Sequence, residues 1–302
     1  MSSDGILKCY APESGLSTTM PRLPTRLCEL LEIILILGGS MLEEITPMVL
    51  TFNEAANITR TIEKLLWAER ILIIDSGSTD GTLKTLAAHP QVQILQRPFD
   101  SFADQCNFGL GQVRTEWVLS LDADYELSDE LVQELQELQE TESVAAYRAS
   151  FTYCIYGRRL RRAIYPPRTI LYRVGGAHYV NEGHGHRIQL AGEVRNLRGV
   201  VYHDDRKPVS RWLAAQRRYA ELEVNHLLDL RLDKLPFSDR LRRMGWPAPI
   251  LVFFYVAFVR GCLLDGWAGW FYVLQRVLAE GIIALELIDR RFRSATKISK
   301  LD

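Results

Sequence analysis

Short apolar runs alternate with segments in which apolar residues recur every three or four positions. The runs with strand character lie at 45–52, 70–75, 92–95 and 116–122. Between them apolar residues follow helical spacing, as Ile58, Ile62 and Leu65 do. This alternation predicts an α/β fold with a central, mostly parallel sheet and flanking helices.

Polar residues follow three of these strands directly. The clusters consist of Thr51, Asn53 and Glu54, of 75–80, and of Asp122 and Asp124. Because the carboxyl ends of parallel strands meet at one edge of a sheet, all three clusters are expected at the rim where such sheets bind ligands. Two carboxylates one residue apart suit Mg²⁺ or Mn²⁺ that already carries phosphate oxygens. The alternative for an isolated Asp-x-Asp pair is a solvated turn before a helix capped by Ser128.

Composition narrows the class of protein. The chain has 302 residues, a formal net charge of −1 and five cysteines. Its length suits one large α/β domain with an appendage, or two small domains. A net charge near zero gives no whole-molecule argument for nucleic-acid binding. An odd number of widely spaced cysteines without a Cys-x-x-Cys pair indicates reduced thiols rather than a disulfide framework or a structural zinc site.

Four segments resemble a known family. They read TFNEAANI (51–58), ILIIDSGSTDGT (71–82), RPFDSFADQCNFGL (97–110) and EWVLSLDAD (116–124). They are similar to the nucleotide-sugar-binding half of family 2 glycosyltransferases with the GT-A fold, and within that family to the bacterial lipopolysaccharide core β-1,4-glucosyltransferase-like group. The resemblance extends from about Pro47 to about Glu286. It implies a Rossmann-like GT-A sheet with flanking helices.

The resemblance also implies roles for individual residues. It places Asp124 on a metal that bridges the donor diphosphate, and Asp122 on the ribose or on the water shell of the metal. It places His203 near the metal or the diphosphate. The alternative is that His203 is a structural histidine at the end of a strand. Relatives commonly carry lysine or another polar residue at the position of Cys106. The remaining donor-binding residues are Thr51, Asn53 and Glu54 near the base and ribose, Asp75 at the base with Gly77 in the same turn, and Asn107.

Six arginines lie between 158 and 173 with no acidic residue among them. They are Arg158, Arg159, Arg161, Arg162, Arg168 and Arg173. Arg168 and Arg173 are assigned to the nucleotide-sugar. The cluster fits the phosphate of a lipid-linked or phosphorylated acceptor, an anionic leaflet, or a solvated basic loop. The aromatic residues nearby form no RNA-binding pattern, so nucleic acid is not an expected partner.

Inverting sugar transfer needs a group that takes the proton from the acceptor hydroxyl. Glu182, within GGAHYVNEGHGHRI (175–188), is predicted to be this base. Asn181 stands where relatives often carry histidine. Three histidines in this segment, His178, His184 and His186, lack a further ligand at useful spacing, which disfavours zinc.

The chain divides into three predicted regions. Residues 1–44 form an N-terminal appendage, 45–205 the GT-A catalytic domain (nucleotide-sugar half 45–126, acceptor half 127–205), and 206–302 a helical C-terminal region. The apolar runs of that last region fall short of the roughly 20 residues that a spanning helix needs. Its tryptophans and flanking arginines predict amphipathic helices in a membrane interface. A buried helical hairpin or an oligomer contact is the alternative.

Together these features predict an inverting, metal-dependent glycosyltransferase. We expect it to move a sugar from a nucleotide-sugar, most simply a UDP-sugar, to a membrane-associated glycan or lipid acceptor of lipopolysaccharide type. The expected location is the cytoplasmic face of the inner membrane, and homo-oligomerisation is left open. A nucleotidyltransferase of similar fold is one alternative, although such enzymes usually have a Gly-rich basic loop after the first strand. A catalytically silent nucleotide-sugar-binding scaffold is the other.

Overall fold

The computed structural model describes residues 41–139, 143–182 and 185–298. The elements of its first half are β1 (Ile45–Thr51), α1 (Ile58–Glu63), β2 (Ile71–Asp75), α2 (Thr82–Leu86), β3 (Val92–Gln96), α3 (Phe102–Leu110) and β4 (Trp117–Asp122). The four strands pair in parallel in the order β3-β2-β1-β4, which confirms the strand predictions. Helix α1 is shorter than the apolar pattern at 54–69 suggests, because tight turns continue the same buried face through Leu65 and Ala68.

Alternate residues of the parallel strands pack into two apolar layers. Val49, Ile73 and Leu119 lie in one cluster with residues of α1 and α2. Met48 and Leu72 lie in the other, beneath α3. A parallel sheet covered on both faces requires strands that are apolar on both sides, which explains the continuous apolar runs in the sequence.

The second half turns the sheet into a mixed one. Its elements are β5 (Tyr125–Leu127), α4 (Asp129–Glu137), β6 (Val144–Ile155), β7 (Arg158–Arg159), β8 (Arg168–Arg173), β9 (His178–Glu182), β10 (Gly185–Gln189) and β11 (Glu193–His203). Strand β8 runs antiparallel between β4 and β6, and β5 runs antiparallel at the far edge beside β11. The prediction of a mostly parallel sheet therefore holds for the first half and is corrected for the second.

Strand direction places the chain's polar loops. Strands β6 and β11 are parallel to each other and, through the two antiparallel pairings of β8, to β4. The strands β1, β2, β4, β6 and β11 therefore all end at the same edge of the sheet, which we call the carboxyl edge. Antiparallel β8 and β5 begin there, with Arg168 and Tyr125 respectively.

The predicted N-terminal appendage, residues 1–44, is described only at its end. Residues 1–40 lie outside the described residues. Met41–Glu44 forms a short 3-10 helix, and Met41 is buried in the core beside α4. These four residues therefore pack against the sheet, and the predicted domain division stays a prediction.

The C-terminal region is helical, as predicted. It comprises α5 (Val209–Asp229), a 3-10 turn (Leu232–Lys234), α6 (Phe237–Met244), α7 (Pro247–Phe254), a π-helical turn (Tyr255–Val259), a 3-10 turn (Cys262–Asp265) and α8 (Trp267–Ile298). A third apolar cluster joins it to the end of β6 through Ile155, Leu160 and Tyr272. Gly269 makes the close approach between α8 and the preceding turn possible, because a Cβ there would clash with the carbonyl of Cys262.

The outer faces of α7 and α8 are apolar. The exposed side chains recur at helical spacing, at Trp246, Ile250, Phe254 and Phe258 and at Trp267, Trp270, Leu274 and Leu278. We call these eight residues the apolar stripes. Among the described residues, no helix combines the length and the apolar character needed to cross a membrane. Association of the stripes with a membrane surface stays a prediction.

Candidate active site at the carboxyl edge

The loops after β1 and β2 are bound to each other at the carboxyl edge. Thr51 and Asp75 are paired in the sheet register, and the Thr51 hydroxyl donates to Asp75 Oδ2 at 2.9 Å. The backbone N–H of Asn53 donates to Ser78 Oγ at 2.8 Å, and Thr79 N–H donates to Asn53 Oδ1 at 2.7 Å. The first two predicted clusters therefore form one surface.

Asp75 organises this surface from beneath. It is fully buried, and its Oδ1 accepts the N–H groups of Gly77 and Ser78, each at 2.9 Å. Its Oδ2 accepts the hydroxyls of Thr51 and Ser78. With each oxygen already accepting two hydrogen bonds, the carboxylate holds the turn in place, and its predicted contact with a nucleotide base stays a prediction.

The third cluster supplies Asp124, which is paired with His203. Asp124 follows β4, His203 ends β11, and Asp124 Oδ2 lies 3.2 Å from His203 Nε2. Three tyrosine rings surround the imidazole edge-on, with centroids 4.9 to 5.2 Å away, from Tyr125, Tyr153 and Tyr165. The side chains of Asp124 and His203 remain 13% and 18% exposed, so a ligand can reach the pair.

Electrostatics favour the charged forms of this pair. Burial opposes ionisation of Asp124, but the nearby His203 and Lys207 outweigh it and hold the pKa of Asp124 at about 2. Burial likewise opposes protonation of His203, yet the charge of Asp124 raises the pKa of His203. Asp124 is therefore a carboxylate paired with His203, and a cation that binds His203 Nε2 would replace the imidazole proton.

The donor atoms of this pair suit one divalent cation. Neighbouring ligands of an octahedral Mg²⁺ at about 2.1 Å lie about 3 Å apart, close to the 3.2 Å between Asp124 Oδ2 and His203 Nε2. In the described part of the chain no group of three or more His, Cys, Asp or Glu residues could hold a metal. Such an ion would therefore need phosphate oxygens or water in its other positions, as Mg²⁺ commonly has. Asp122 lies one residue before the turn, at the end of β4 beside Leu50.

Lys207 belongs to the site, although sequence analysis did not single it out. Its Nζ donates to Glu54 Oε1 at 2.5 Å, and Asn57 Nδ2 donates to Glu54 Oε2 at 2.9 Å. Burial and the charge of Asp124 raise the pKa of Glu54 to about 7, against the opposing effect of Lys207. The pKa of Lys207 is raised because Glu54 and Asp124 outweigh its own burial. A lysine four residues beyond His203 was the available signal.

A second group that sequence analysis missed joins the two halves of the domain. Arg60 donates to Asp204 Oδ2 at 3.1 Å, to the Asp204 carbonyl at 2.9 Å and to Asn57 Oδ1 at 2.9 Å. Thr61 Oγ1 donates to the carbonyl of Ala123 at 2.8 Å. Helix α1 thereby positions both the turn that carries Asp124 and the segment that follows His203.

The predicted base Glu182 ends strand β9, where its backbone pairs with Gly185 of β10. Its side chain lies outside the described residues, so its catalytic role stays a prediction. Asn107 holds this strand in place, because its amide accepts from Tyr179 N–H at 2.8 Å and donates to the Tyr179 carbonyl at 2.9 Å. The predicted donor contact of Asn107 also stays a prediction.

The two arginines assigned to the nucleotide-sugar lie at opposite ends of β8. Arg168 is at the carboxyl edge, where its guanidinium donates to the Tyr125 hydroxyl at 3.1 Å. Arg173 pairs with Trp117 at the start of β4 and forms an ion pair with Glu116. Because β8 runs antiparallel to β4, Arg173 lies at the edge of the sheet opposite to Asp124. The predicted contact of Arg173 with the nucleotide-sugar is therefore corrected.

The proteins to which this chain is similar are named as glycosyltransferases. The sequence model described as Glycosyl transferase family 2 matches residues 48–190. An uncharacterized glycosyltransferase of Rickettsia prowazekii is 27% identical over 180 residues, covering 54% of this chain and 60% of that protein. Another from Rickettsia bellii is 25% identical over 243 residues, covering 75% and 80%. The lipopolysaccharide core biosynthesis glycosyltransferase LpsC of Rhizobium meliloti is 32% identical over 98 residues, covering 31% and 36%.

Among solved structures, S. aureus TarS 1-349 in complex with UDP-GlcNAc aligns with a TM-score of 0.40 and 12% identity, over 78% of this chain and 90% of that one. The residues matched by the family model include the three polar clusters, Asn107 and Glu182.

Proposed function

We propose that this chain, whose residues 48–190 match the model of glycosyl transferase family 2, transfers a sugar from a nucleotide-sugar donor. The proposed reaction depends on a metal ion and inverts the anomeric centre. The observation that carries the proposal is the pair of Asp124 and His203 at the carboxyl edge. It faces the joined loops after β1 and β2, where open α/β sheets bind nucleotides. A diphosphate between these elements would meet a cation site on one side and backbone-rich turns on the other.

Mg²⁺ or Mn²⁺ would be held by Asp124 and His203. When bound, such an ion neutralises the charge that develops on the departing nucleoside diphosphate. Lys207 adds a fixed positive charge nearby, since its charge already acts on Asp124 and its ammonium binds Glu54. Arg60 and Asn57 hold the segment that carries Lys207 at its position relative to α1.

Transfer requires a base on the acceptor side. We assign this role to Glu182, whose strand Asn107 fixes beside α3. The acceptor oxygen forms a bond to the anomeric carbon while the bond from that carbon to the phosphate oxygen breaks. The acceptor proton passes to the carboxylate, and the nucleoside diphosphate leaves. A single displacement of this kind inverts the configuration.

The acceptor is proposed to be a membrane-associated glycan or lipid of the cell envelope, reached at the cytoplasmic face of the inner membrane. Two observations support this. The apolar stripes leave aromatic and aliphatic side chains exposed on α7 and α8, as helices in a membrane interface do. The relative from Rhizobium meliloti is described as a lipopolysaccharide core biosynthesis glycosyltransferase.

The proposal is tested by nucleotide-sugar hydrolysis with and without Mn²⁺, using a panel of UDP, GDP and other donors. We expect one donor to be hydrolysed only with metal. Asp124→Asn should abolish this hydrolysis, whereas Asp289→Asn, on the surface of α8, should not. Hydrolysis that is indifferent to both the metal and the Asp124 variant would contradict the assigned site. Metal-dependent nucleotide binding without hydrolysis of any donor would favour the catalytically silent nucleotide-sugar-binding scaffold, and the absence of both would contradict the proposal.

A further inference from the structure

A cleft with a volume of about 620 Å³ lies beside the site. One wall is formed by the end of β6, by β7 and by the residues that follow, including Arg158, Arg159 and Arg161. The opposite wall contains Leu264 and Asp265, from the turn before α8. The cleft thus separates the sheet from the helical region, and no proposed step of the reaction has used it.

Three arginines and one carboxylate, that of Asp265, line this cleft, so its net charge is positive. Within the described ranges, no carboxylate lies within 4.0 Å of the side-chain nitrogens of Arg158, Arg159 or Arg161. The acid in the wall, Asp265, accepts instead from the backbone N–H of Arg161 at 3.1 Å. Arg159 stacks over the Tyr202 ring at 4.0 Å, which fixes one guanidinium in place. Guanidinium groups arranged around a cleft favour a group with several acceptor oxygens, such as a phosphate.

The inner end of the cleft reaches the candidate active site. Tyr153 lines the cleft, and its ring centroid lies 4.9 Å from that of His203. The two residues are also paired in register between β6 and β11. Only the ring of Tyr153 therefore separates a ligand in the cleft from the pair of Asp124 and His203.

The outer end reaches the apolar surface. Leu264 is 77% exposed, and it lies between Val259 and Trp267, which are also exposed. Trp267 begins the apolar stripe on α8. A molecule with a charged group in the cleft would therefore place a hydrocarbon chain beside Leu264 and Trp267.

We propose that this cleft binds the phosphate group of a lipid-anchored acceptor, with the lipid toward Leu264 and the acceptor hydroxyl toward His203. The inference rests on the proposed function, because it supplies an acceptor to that site. In this inference Arg158 and Arg161 bind a phosphate group that carries a hydrocarbon chain. Free inorganic phosphate and the headgroups of an anionic bilayer are the competing sources of the same chemistry.

Calorimetry on the full chain can separate these sources. The probes are monomeric dodecyl phosphate, inorganic phosphate and uncharged dodecyl maltoside, together with phosphatidylcholine vesicles that contain phosphatidylglycerol. We expect dodecyl phosphate to bind at least about tenfold more tightly than either inorganic phosphate or dodecyl maltoside. Equal binding of inorganic phosphate would reduce the cleft to a free-anion site and overturn the proposal.

The matched variants are Arg158→Gln/Arg161→Gln and a control, Arg114→Gln/Arg198→Gln, which removes the same charge from exposed positions elsewhere. The first should weaken dodecyl phosphate binding by at least about tenfold, and the control should leave it unchanged. Equal affinity in the two variants would overturn the proposal. A parallel, equal loss of vesicle binding by the first variant would assign the arginines to the bilayer surface instead.

Binding of UDP with Mn²⁺ distinguishes this inference from the proposed function. The arginine variant should retain it, which also shows that the protein has folded. If the variant does not fold, Arg158→Lys/Arg161→Lys replaces it, because lysine keeps the charge and loses the planar fork, and it should bind dodecyl phosphate less tightly than wild type. If the wild type binds dodecyl phosphate but no nucleotide, the cleft stands and the proposed function fails.

Discussion

Replacing Arg60 by methionine should destabilise the protein and loosen the active site together. Arg60 donates two hydrogen bonds to Asp204, which join α1 to the segment after β11, and a third to Asn57 at the start of α1. The backbone N–H of Asp204 in turn donates to the carbonyl of Asp124 at 3.2 Å. Methionine keeps the apolar part of the side chain and removes all three donors.

The size of the expected stability loss follows from the burial of Arg60 and Asp204. The Asp204 side chain is 3% exposed and that of Arg60 is 20% exposed, so most of the interaction is shielded from water. Breaking a buried pair costs about 3–5 kcal/mol when the remaining charge is left alone. Asp204 retains donors from Gly157 N–H at 2.9 Å and Arg206 Nε at 2.8 Å. We therefore expect a loss of about 2–4 kcal/mol in the free energy of unfolding.

Urea unfolding followed by tryptophan fluorescence measures this loss, and calorimetry with UDP and Mn²⁺ measures the effect on the site. The control is Arg198→Met, since Arg198 is 86% exposed and its pair with Glu134 is 3.5 Å long. A surface pair contributes about 0–1 kcal/mol. If the two variants lose equal stability, or if Arg60→Met leaves nucleotide affinity unchanged, Arg60 does not position the site.

Asp124→Asn should abolish Mn²⁺-dependent UDP binding in calorimetry, since a neutral amide cannot balance the cation; undiminished affinity would remove the metal assignment. Glu182→Gln should lower transfer by about two to four orders of magnitude with UDP affinity retained, and a variant that keeps its transfer rate excludes Glu182 as the base. Gly269→Ala should lower the urea midpoint, because its Cβ would clash with the carbonyl of Cys262, whereas Gly281→Ala meets open space and should not; equal midpoints contradict this packing. The intact protein should bind anionic liposomes and be released in part by salt, and its full recovery in the supernatant would favour a buried hairpin or an oligomer contact.

The sequence by itself determined the parallel half of the sheet. Each of β1 to β4 is an apolar run bounded by turn residues, and such a pattern is local, so no knowledge of distant residues is needed to recognise it. The grouping of Thr51, Asp75 and Asp124 followed from the same pattern, because parallel strands end at one edge. The cap of α4 was also readable, and Ser128 Oγ accepts from Leu131 N–H at 3.1 Å.

Only the tertiary structure decided which arginines and carboxylates meet. The direction of β8 sends Arg168 to the carboxyl edge and Arg173 to the other, and direction depends on pairing with β4 and β6 rather than on the residues of β8 themselves. Lys207 meets Glu54 across 153 residues, and Arg60 meets Asp204 across 144. Contacts between residues so far apart in the sequence form only when separate segments pack together in the folded protein. The hydrophobic pattern of one segment does not predict them.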